Sequence, residues 1–268
     1  MRFKPLVTVL INNYNKEKFC SRAVKSLLEQ SYKKIEIIFF DDGSHDASLE
    51  KINQFRKKIK VIKNFKRGKI FSYNQLSAIK RSLNKSKGNI ICILDSDDFF
   101  EKKKVGKIVD YFSKNKSAEI LCDKPRLFYN KSKIINEKKV FFKRSYKWPK
   151  FPPTSCLSFK KNSLKKALNI ISKNKFEELW FDFRVVTYFA LKKKQFNVLN
   201  EYLTFYRQDT LSFDKKYKKF YNFNWWRRRD QAFEFIRDLD QKSYRRNLFT
   251  IDFIITKLIS KIFAFFKI

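Results

Sequence analysis

Ile90-Ile91-Cys92-Ile93-Leu94-Asp95-Ser96-Asp97-Asp98 runs five apolar residues without alternation into three carboxylates. An unbroken apolar run predicts a strand covered on both faces, as in a parallel sheet. Carboxylates packed together in a dry interior would repel one another and lose their hydration. Their place is therefore a wet mouth at the carboxyl end of the strand, where open α/β sheets collect ligands. A divalent cation holding a phosphorylated ligand is the economical reason for such a cluster. A second stretch repeats the design: Ile35 to Phe40, then Asp41-Asp42-Gly43-Ser44.

Outward from these two strands the chain alternates. Leu6 to Ile11 predicts a first strand, and Asn12-Asn13-Tyr14-Asn15 the loop beyond it. Asn15 is a suitable cap for a helix over Lys16 to Gln30, whose Ala23, Val24, Leu27 and Leu28 recur at helical spacing. Ile59 to Ile62 predicts a third strand, Phe71 to Leu83 a helix, and Gly88 the return into the acidic strand. Strands joined by helical crossovers indicate a nucleotide-binding α/β sheet, mostly parallel and flanked by helices. Neither G-x-G-x-x-G nor G-x-x-x-x-G-K-[ST] occurs, so a glycine-rich turn alone does not hold the pyrophosphate.

Beyond Phe100 the pattern predicts a helix over Lys102 to Phe112, a short strand at Ile120 to Cys122, and a basic excursion over Lys124 to Lys147. A strand at Thr154 to Phe159 and a helix from Ser163 follow. Phe176-Glu177-Glu178-Leu179-Trp180-Phe181-Asp182 opens a further helix with acidic residues, which the helix dipole favours. Strand-like pieces at Phe196 to Leu199 and Leu203 to Arg207 close this part, with a polar loop through Ser212.

The chain has 268 residues with 62 Lys+Arg against 26 Asp+Glu, a formal charge of +36. Such a charge suits nucleic acid, anionic lipid or polyanionic substrates. The basic residues are spread through the whole chain, and no RNA-binding signature or zinc-finger spacing is present, so no specific nucleic-acid partner is expected. Cys20, Cys92, Cys122 and Cys156 form no close pair, which suggests neither a zinc site nor a disulfide framework and fits a reducing cytoplasm. The apolar run near Met1 is too short for a signal peptide, and no apolar run reaches the length of about 18 residues that spans a bilayer.

Taken in order, the strand, Asn12 to Asn15, Asp-Asp-Gly-Ser at 41–44, Gly88 and Leu-Asp-Ser-Asp-Asp at 94–98 resemble the family 2 glycosyltransferases, inverting enzymes of the GT-A fold. Asn74 fits an asparagine that such enzymes often carry. The resemblance covers about residues 5–212 and implies a GT-A-like catalytic domain over 1–212, with a basic, aromatic-rich helical extension over 213–268. It implies that the loop bearing Asn12 and Tyr14 lines the nucleotide base. Asp41, with Asp42 second, would accept the base N–H. Asp95 would face the ribose or the metal shell, and Asp97, assisted by Asp98, would contact Mn²⁺ or Mg²⁺. Asp182 would be the general base, with Glu178 in reserve. The family's acidic pair before this helix has Phe181 as its first member here. Tyr206-Arg207 resembles a late loop that closes over the donor phosphates, with Lys66, Arg67 and Lys69 as further phosphate contacts. That loop often carries a histidine, yet the only histidine here is His45, leaving Gln208 or Asp209 at the late position.

The implied reaction moves a sugar from a nucleotide sugar, UDP-linked, to a hydroxyl of a glycan or lipid-linked acceptor in bacterial envelope polysaccharide synthesis. The alternatives are an inactive sugar-nucleotide-binding relative and a nucleotidyltransferase. The extension adds an expectation of its own. Trp225-Trp226-Arg227-Arg228-Arg229 combines interfacial aromatics with charge, and Leu248 to Ile268 is rich in Phe and Ile but interrupted by Lys257, Lys261 and Lys267. Both suit an anionic membrane surface, which places the chain peripherally at the cytoplasmic face of the inner membrane. The alternative is that this segment docks on the catalytic domain or on a second subunit as a homo-oligomer.

Overall fold

A computed structural model describes residues 4–129, 133–136, 151–173, 175–208 and 222–265. Residues 137–150 of the basic excursion, Asp209, and the loop through Ser212 lie outside the described residues. The first half is built from β1 (Val7–Asn13), α1 (Cys20–Leu28), β2 (Ile35–Asp41), α2 (Ser48–Ile52), β3 (Lys60–Lys63), α3 (Phe71–Lys85) and β4 (Ile90–Asp95). The four strands lie parallel in the order β3-β2-β1-β4. Leu10, Ile38, Ile91 and Ile93 point to one face, while Val9, Ile11, Phe39, Cys92 and Leu94 point to the other. Both faces are covered, which is why the strand sequences do not alternate.

The register makes the functional edge. Asn12 stands opposite Asp95, and Asn13 opposite Asp41, so three strand ends open onto one side of the sheet. Gly88 sets the entry of β4. A Cβ there would come within 2.5 Å of the Thr8 nitrogen and 2.6 Å of its hydroxyl.

The second half is mixed rather than a continuation of the parallel sheet. It comprises β5 (Phe99–Phe100), α4 (Lys104–Lys114), β6 (Ile120–Tyr129), β7 (Lys133–Asn136), a 3-10 turn at Thr154–Cys156, β8 (Leu157–Lys160), α5 (Lys161–Ile171), α6 (Phe181–Lys192) and β9 (Asn197–Arg207). β8 joins β4 antiparallel, β6 joins β8 antiparallel, β9 runs parallel to β6, and β5 closes the order against β9. The whole is an α/β domain with a GT-A-like core and C-terminal helices.

Several boundaries differ from the sequence reading, and the short strand expected at Ile120 to Cys122 runs on to Tyr129, taking in the start of the basic excursion. The first helix begins at Cys20, because Asn15 takes a left-handed φ of 51° and its side chain accepts from the His45 amide rather than capping Lys16. The two expected strand pieces at 196–199 and 203–207 are one strand, β9, whose half-exposed edge hides its continuity. The expected strand at 154–159 starts as a 3-10 turn.

The extension forms α7 (Phe223–Leu239), α8 (Gln241–Asn247) and α9 (Ile251–Phe265). Phe235 of α7 packs edge-on against Phe176 and beside Phe183 of α6, and Ala232, Phe235 and Leu239 belong to the main core. α9 lies on α7 through Phe253 against Phe233 and through the Arg229–Asp252 pair. Among the described residues, no helix is long and apolar enough to cross a membrane. All four cysteines are buried free thiols.

Candidate active site

A cavity of about 700 Å³ opens at the carboxyl edge of β1, β2 and β4. Asn12, Tyr14, Asp42, Asp95, Asp97, Asp98, Asp182 and Arg207 all line it, and so do Arg67, Asn74 and Tyr206, which the sequence also offered. Asp41 and Glu178 stand apart.

Asp41 is consumed inside its own turn. It accepts from the Asn13 side chain at 2.9 Å, from the Ser44 amide at 3.0 Å and from the Ser44 hydroxyl at 2.6 Å. Gly43 supplies the positive φ of 77° that the turn demands. Asp42 is the member of the pair that faces the cavity. It accepts from Asn64 at 2.8 Å and from Arg67 Nε at 2.7 Å. The Arg67 guanidinium lies 3.5 Å from the Tyr14 ring centre and 4.5 Å from that of Phe71. Tyr14, Asp42, Arg67 and Phe71 thus form one flat-walled, partly charged end of the cavity. Lys66 and Lys69 are exposed outside its lining, and His45 is also outside it.

The acidic loop forms the middle. Asp95 lies at the end of β4, and its amide donates to the Ser155 hydroxyl at 3.0 Å. Burial, then the charges of Asp97 and Asp182, push its carboxyl up to about 7, against the pull of Asn12 and Lys16. Asp97 is partly exposed and pairs with Lys16 Nζ at 2.5 Å. Asp98 serves the loop itself. One oxygen accepts from the Ser155 hydroxyl at 2.5 Å and the other from the Arg207 amide at 2.8 Å. Burial and its neighbours Asp97 and Asp95 drive its carboxyl well above the usual range. Asp98 lines the cavity beside Asp97 while tying the acidic loop to Ser155 and to β9.

Behind this loop sits a network with no signature in the sequence. Lys104 is fully buried and pairs with Asp123 at 2.7 Å. Its ammonium also donates to the Ser155 carbonyl at 2.8 Å and to the Thr204 hydroxyl at 2.5 Å, and Thr204 donates to Asp123 at 2.6 Å. Lys104, Asp123, Ser155 and Thr204 come from four separate segments, so no local pattern could have announced them. Through Ser155 they fix Asp95 and Asp98. Arg207 is tied to the same loop: its Nε donates to the Asp97 carbonyl at 3.0 Å and its guanidinium lies 3.9 Å from the Phe19 ring centre. Gln208 is spent on the backbone, its amide donating to the Phe128 carbonyl at 2.8 Å.

Asp182 stands in the first turn of α6, where it accepts from the Phe183 amide at 2.7 Å and faces the cavity. Phe181 turns the opposite way into the core against Phe159. Glu178 is buried beside α7. Its amide donates to Gln231 at 2.8 Å, and its carboxylate lies 3.6 Å from Arg227. Trp180, and Arg228 from α7, complete this end of the cavity. Lys16 and Arg228 are lining residues that the sequence reading did not single out for the site.

Among the described residues, no group of three or more His, Cys, Asp or Glu is arranged to hold a metal by itself. The donor set present is Asp95 and Asp97, both carboxylates, in a cluster whose mutual repulsion lifts Asp95. One or two carboxylates completed by substrate phosphates is the usual way magnesium-like cations are bound, so the residues fit such an ion.

The sequence profile named Glycosyl transferase family 2 matches residues 8–180. An uncharacterized glycosyltransferase of Haemophilus influenzae is 38% identical over 113 residues, covering 41% of this chain and 44% of the relative. The chain therefore spans less than half the length of that relative. The crystal structure of S. aureus TarS 1–349 with UDP covers 93% of this chain and 70% of its own, with a TM-score of 0.65 and 16% identity. The mannosyltransferase PcManGT from Pyrobaculum calidifontis, with GDP-Man and Mn²⁺, covers 98% of this chain and 76% of its own, with a TM-score of 0.55 and 13% identity. At such identities the likeness to the solved structures concerns the fold.

Proposed function

The chain belongs to glycosyl transferase family 2, and we propose that it moves a sugar, with inversion, from a UDP-linked donor to a hydroxyl of an envelope glycan or lipid-linked acceptor. The observation that carries this reading is the single cavity joining Tyr14, Asp42 and Arg67 at one end to Asp95, Asp97 and Arg207 in the middle and Asp182 beyond. Each part suits one part of the reaction.

The base stacks on Tyr14, and Asp42 accepts its N–H. This gives Asp42 the role that the sequence offered first to Asp41, because Asp42 lines the cavity and Asp41 does not. Arg207 and Lys16 offset the charge that gathers on the diphosphate as the glycosidic bond breaks, and such oriented charges act most strongly in a site that excludes water. Asp95 and Asp97 would hold Mn²⁺ or Mg²⁺, which when bound supplies further neutralisation of the leaving group. The acceptor hydroxyl gives its proton to Asp182 as it attacks. Attack from the side opposite the diphosphate inverts the anomeric carbon, and no covalent intermediate is required. Trp180 and Arg228 border the acceptor side. A lipid-linked acceptor would place the chain peripherally at the cytoplasmic face of the membrane.

Donor hydrolysis and transfer, measured across nucleotide sugars with and without Mn²⁺ or Mg²⁺, test this reading. Turnover of a UDP-sugar that stops in chelator and returns with the cation is expected, as is its loss in Asp97→Ala. Turnover indifferent to both would reject the metal role. No turnover with any nucleotide sugar, despite nucleotide binding, would favour an inactive relative.

A further inference from the structure

α9 is amphipathic in the reverse sense to a helix packed on a core. Its exposed apolar residues are Ile251, Ile254, Ile255, Leu258, Ile262 and Phe265, which recur at helical spacing and form one continuous stripe. Ile251 is 76%, Leu258 57% and Phe265 82% exposed. Asp252, Thr256 and Lys257 lie on the packed side. Asp252 pairs with Arg229, Lys257 pairs with Asp230 at 2.6 Å and with Glu234, and Thr256 is fully buried. A helix that spends its charges on its neighbour and turns isoleucines outward has a partner for that stripe.

We propose that this stripe docks in the plane of an anionic lipid bilayer. Two features choose lipid over a second copy. First, the surroundings are basic: Lys261 is exposed beside the stripe, and the exposed Phe249 shares a surface cluster with Lys242 and Arg245. An aromatic ring flanked by cations is suited to the headgroup layer. Secondly, Asp252 is the only acidic residue in 241–265, and it is already paired with Arg229. A two-fold contact through the stripe would bring these cations against their own copies with no carboxylate between them, on a chain of formal charge +36.

The placement also orients the cavity. α7 carries α9 through Arg229, Asp230 and Glu234, while Arg228 of the same helix lines the cavity. α7 thus touches both α9 and the cavity. This surface stands independently of the catalytic reading and, if that reading holds, brings a lipid-linked acceptor to the cavity.

Flotation of the full chain with phosphatidylcholine vesicles, with and without phosphatidylglycerol, tests it. Two variants accompany the wild type. One replaces Ile251, Ile255, Leu258 and Ile262 by Ser, and the other replaces Lys242, Arg245 and Lys261 by Gln. The wild type should float with anionic vesicles and lose binding in high salt. The serine variant should stay at the bottom, and the glutamine variant should bind about tenfold or more weakly. Both should keep the circular dichroism and nucleotide affinity of the wild type. Wild type that stays at the bottom, or a serine variant that floats equally well, overturns the proposal. So does a wild-type dimer in sedimentation that the serine variant converts to monomer without any vesicle binding. Flotation of a wild type that turns over no nucleotide sugar would uphold the surface and count against the catalytic reading alone.

Discussion

Asp182 and Glu178 lie one turn apart in sequence, and each can be changed to its amide with little change in volume. Asp182 faces the cavity, whereas Glu178 is held beside Arg227 and Gln231. Asp182→Asn should lower kcat by roughly 10²–10⁴, the usual range for a general base, while donor affinity measured by calorimetry stays within a few fold. Glu178→Gln should leave kcat near wild type and show its effect in thermal unfolding. Loss of kcat in Glu178→Gln alone would move the base to Glu178. The Asp41 and Asp42 pair separates in the same manner. Asp42→Asn should raise the donor KM with kcat little changed, and Asp41→Asn should mainly lower stability. Asp95 adds a pH effect. Its folded carboxyl titrates at about 7 against 3.8 in the unfolded chain, so between these values the fold holds a proton that the unfolded chain has released. The stability it contributes is present at low pH and is lost as pH rises through about 7. The melting temperature of the metal-free protein should therefore fall from pH 5 to pH 8. Asp95→Asn should reduce that fall without abolishing it, because Asp98 and Asp123 are also raised. At this scale the two Asp motifs were legible in the sequence, since each follows an apolar strand. Which aspartate of the first motif meets the cavity was not, because that depends on the turn closed by Ser44.

The elements most readable in the sequence were β1, β2, β4 and α3, where unbroken apolar runs or helical spacing leave little choice. The start of α1 was not readable: its N-terminal residue Phe19 makes no side-chain cap, and Asn15 is drawn away to His45. β9 was split because Asn200 and Glu201 interrupt its apolar residues along a half-exposed edge. The Lys104–Asp123 pair on α4 and β6 was invisible for a different reason, since its partners meet across the sheet. Removing one member of a buried pair leaves a charge without compensation and costs about 3–5 kcal/mol. Lys104→Met should show that loss in urea unfolding, and the double variant Lys104→Met/Asp123→Leu should recover much of it. The network also holds Ser155 against Asp95 and Asp98. Donor KM should accordingly rise in Lys104→Met at temperatures where the protein remains folded. An unchanged KM would confine the pair to stability.

For the molecule as a whole, the sequence marks 213–268 as a helical extension of the catalytic domain, because its composition shifts at Phe213. In the structure α7 is part of the core, with Phe235 between Phe176 and Phe183 and Arg228 in the cavity wall. A chain ending at residue 222 should lose cooperative unfolding in differential scanning calorimetry. A chain ending at residue 247 should stay folded with a lower melting temperature. Two equally stable truncations would show that α7 adds nothing to the core. The resemblance to family 2 supplied the architecture of the first half early, because there the sheet order follows the chain. The mixed second half was hidden by pairings such as Leu121 with Asn197, whose strands are distant in sequence.

That pairing also sets a timetable. A chain made from its N-terminus completes β1 to β4, and with them Tyr14, Asp42 and Arg67, well before Asn197 leaves the ribosome. β6 must wait for β9, and only then does Arg207 reach Asp98 and close the loop of Asp95 and Asp97. Contacts of such long sequence separation are slow to form. The end with Tyr14 and Asp42 is thus assembled first, and the groups placed to act on the sugar last. Under the proposed function, an incomplete chain would present the nucleotide end of the cavity before the loop of Asp95 and Asp97 is closed.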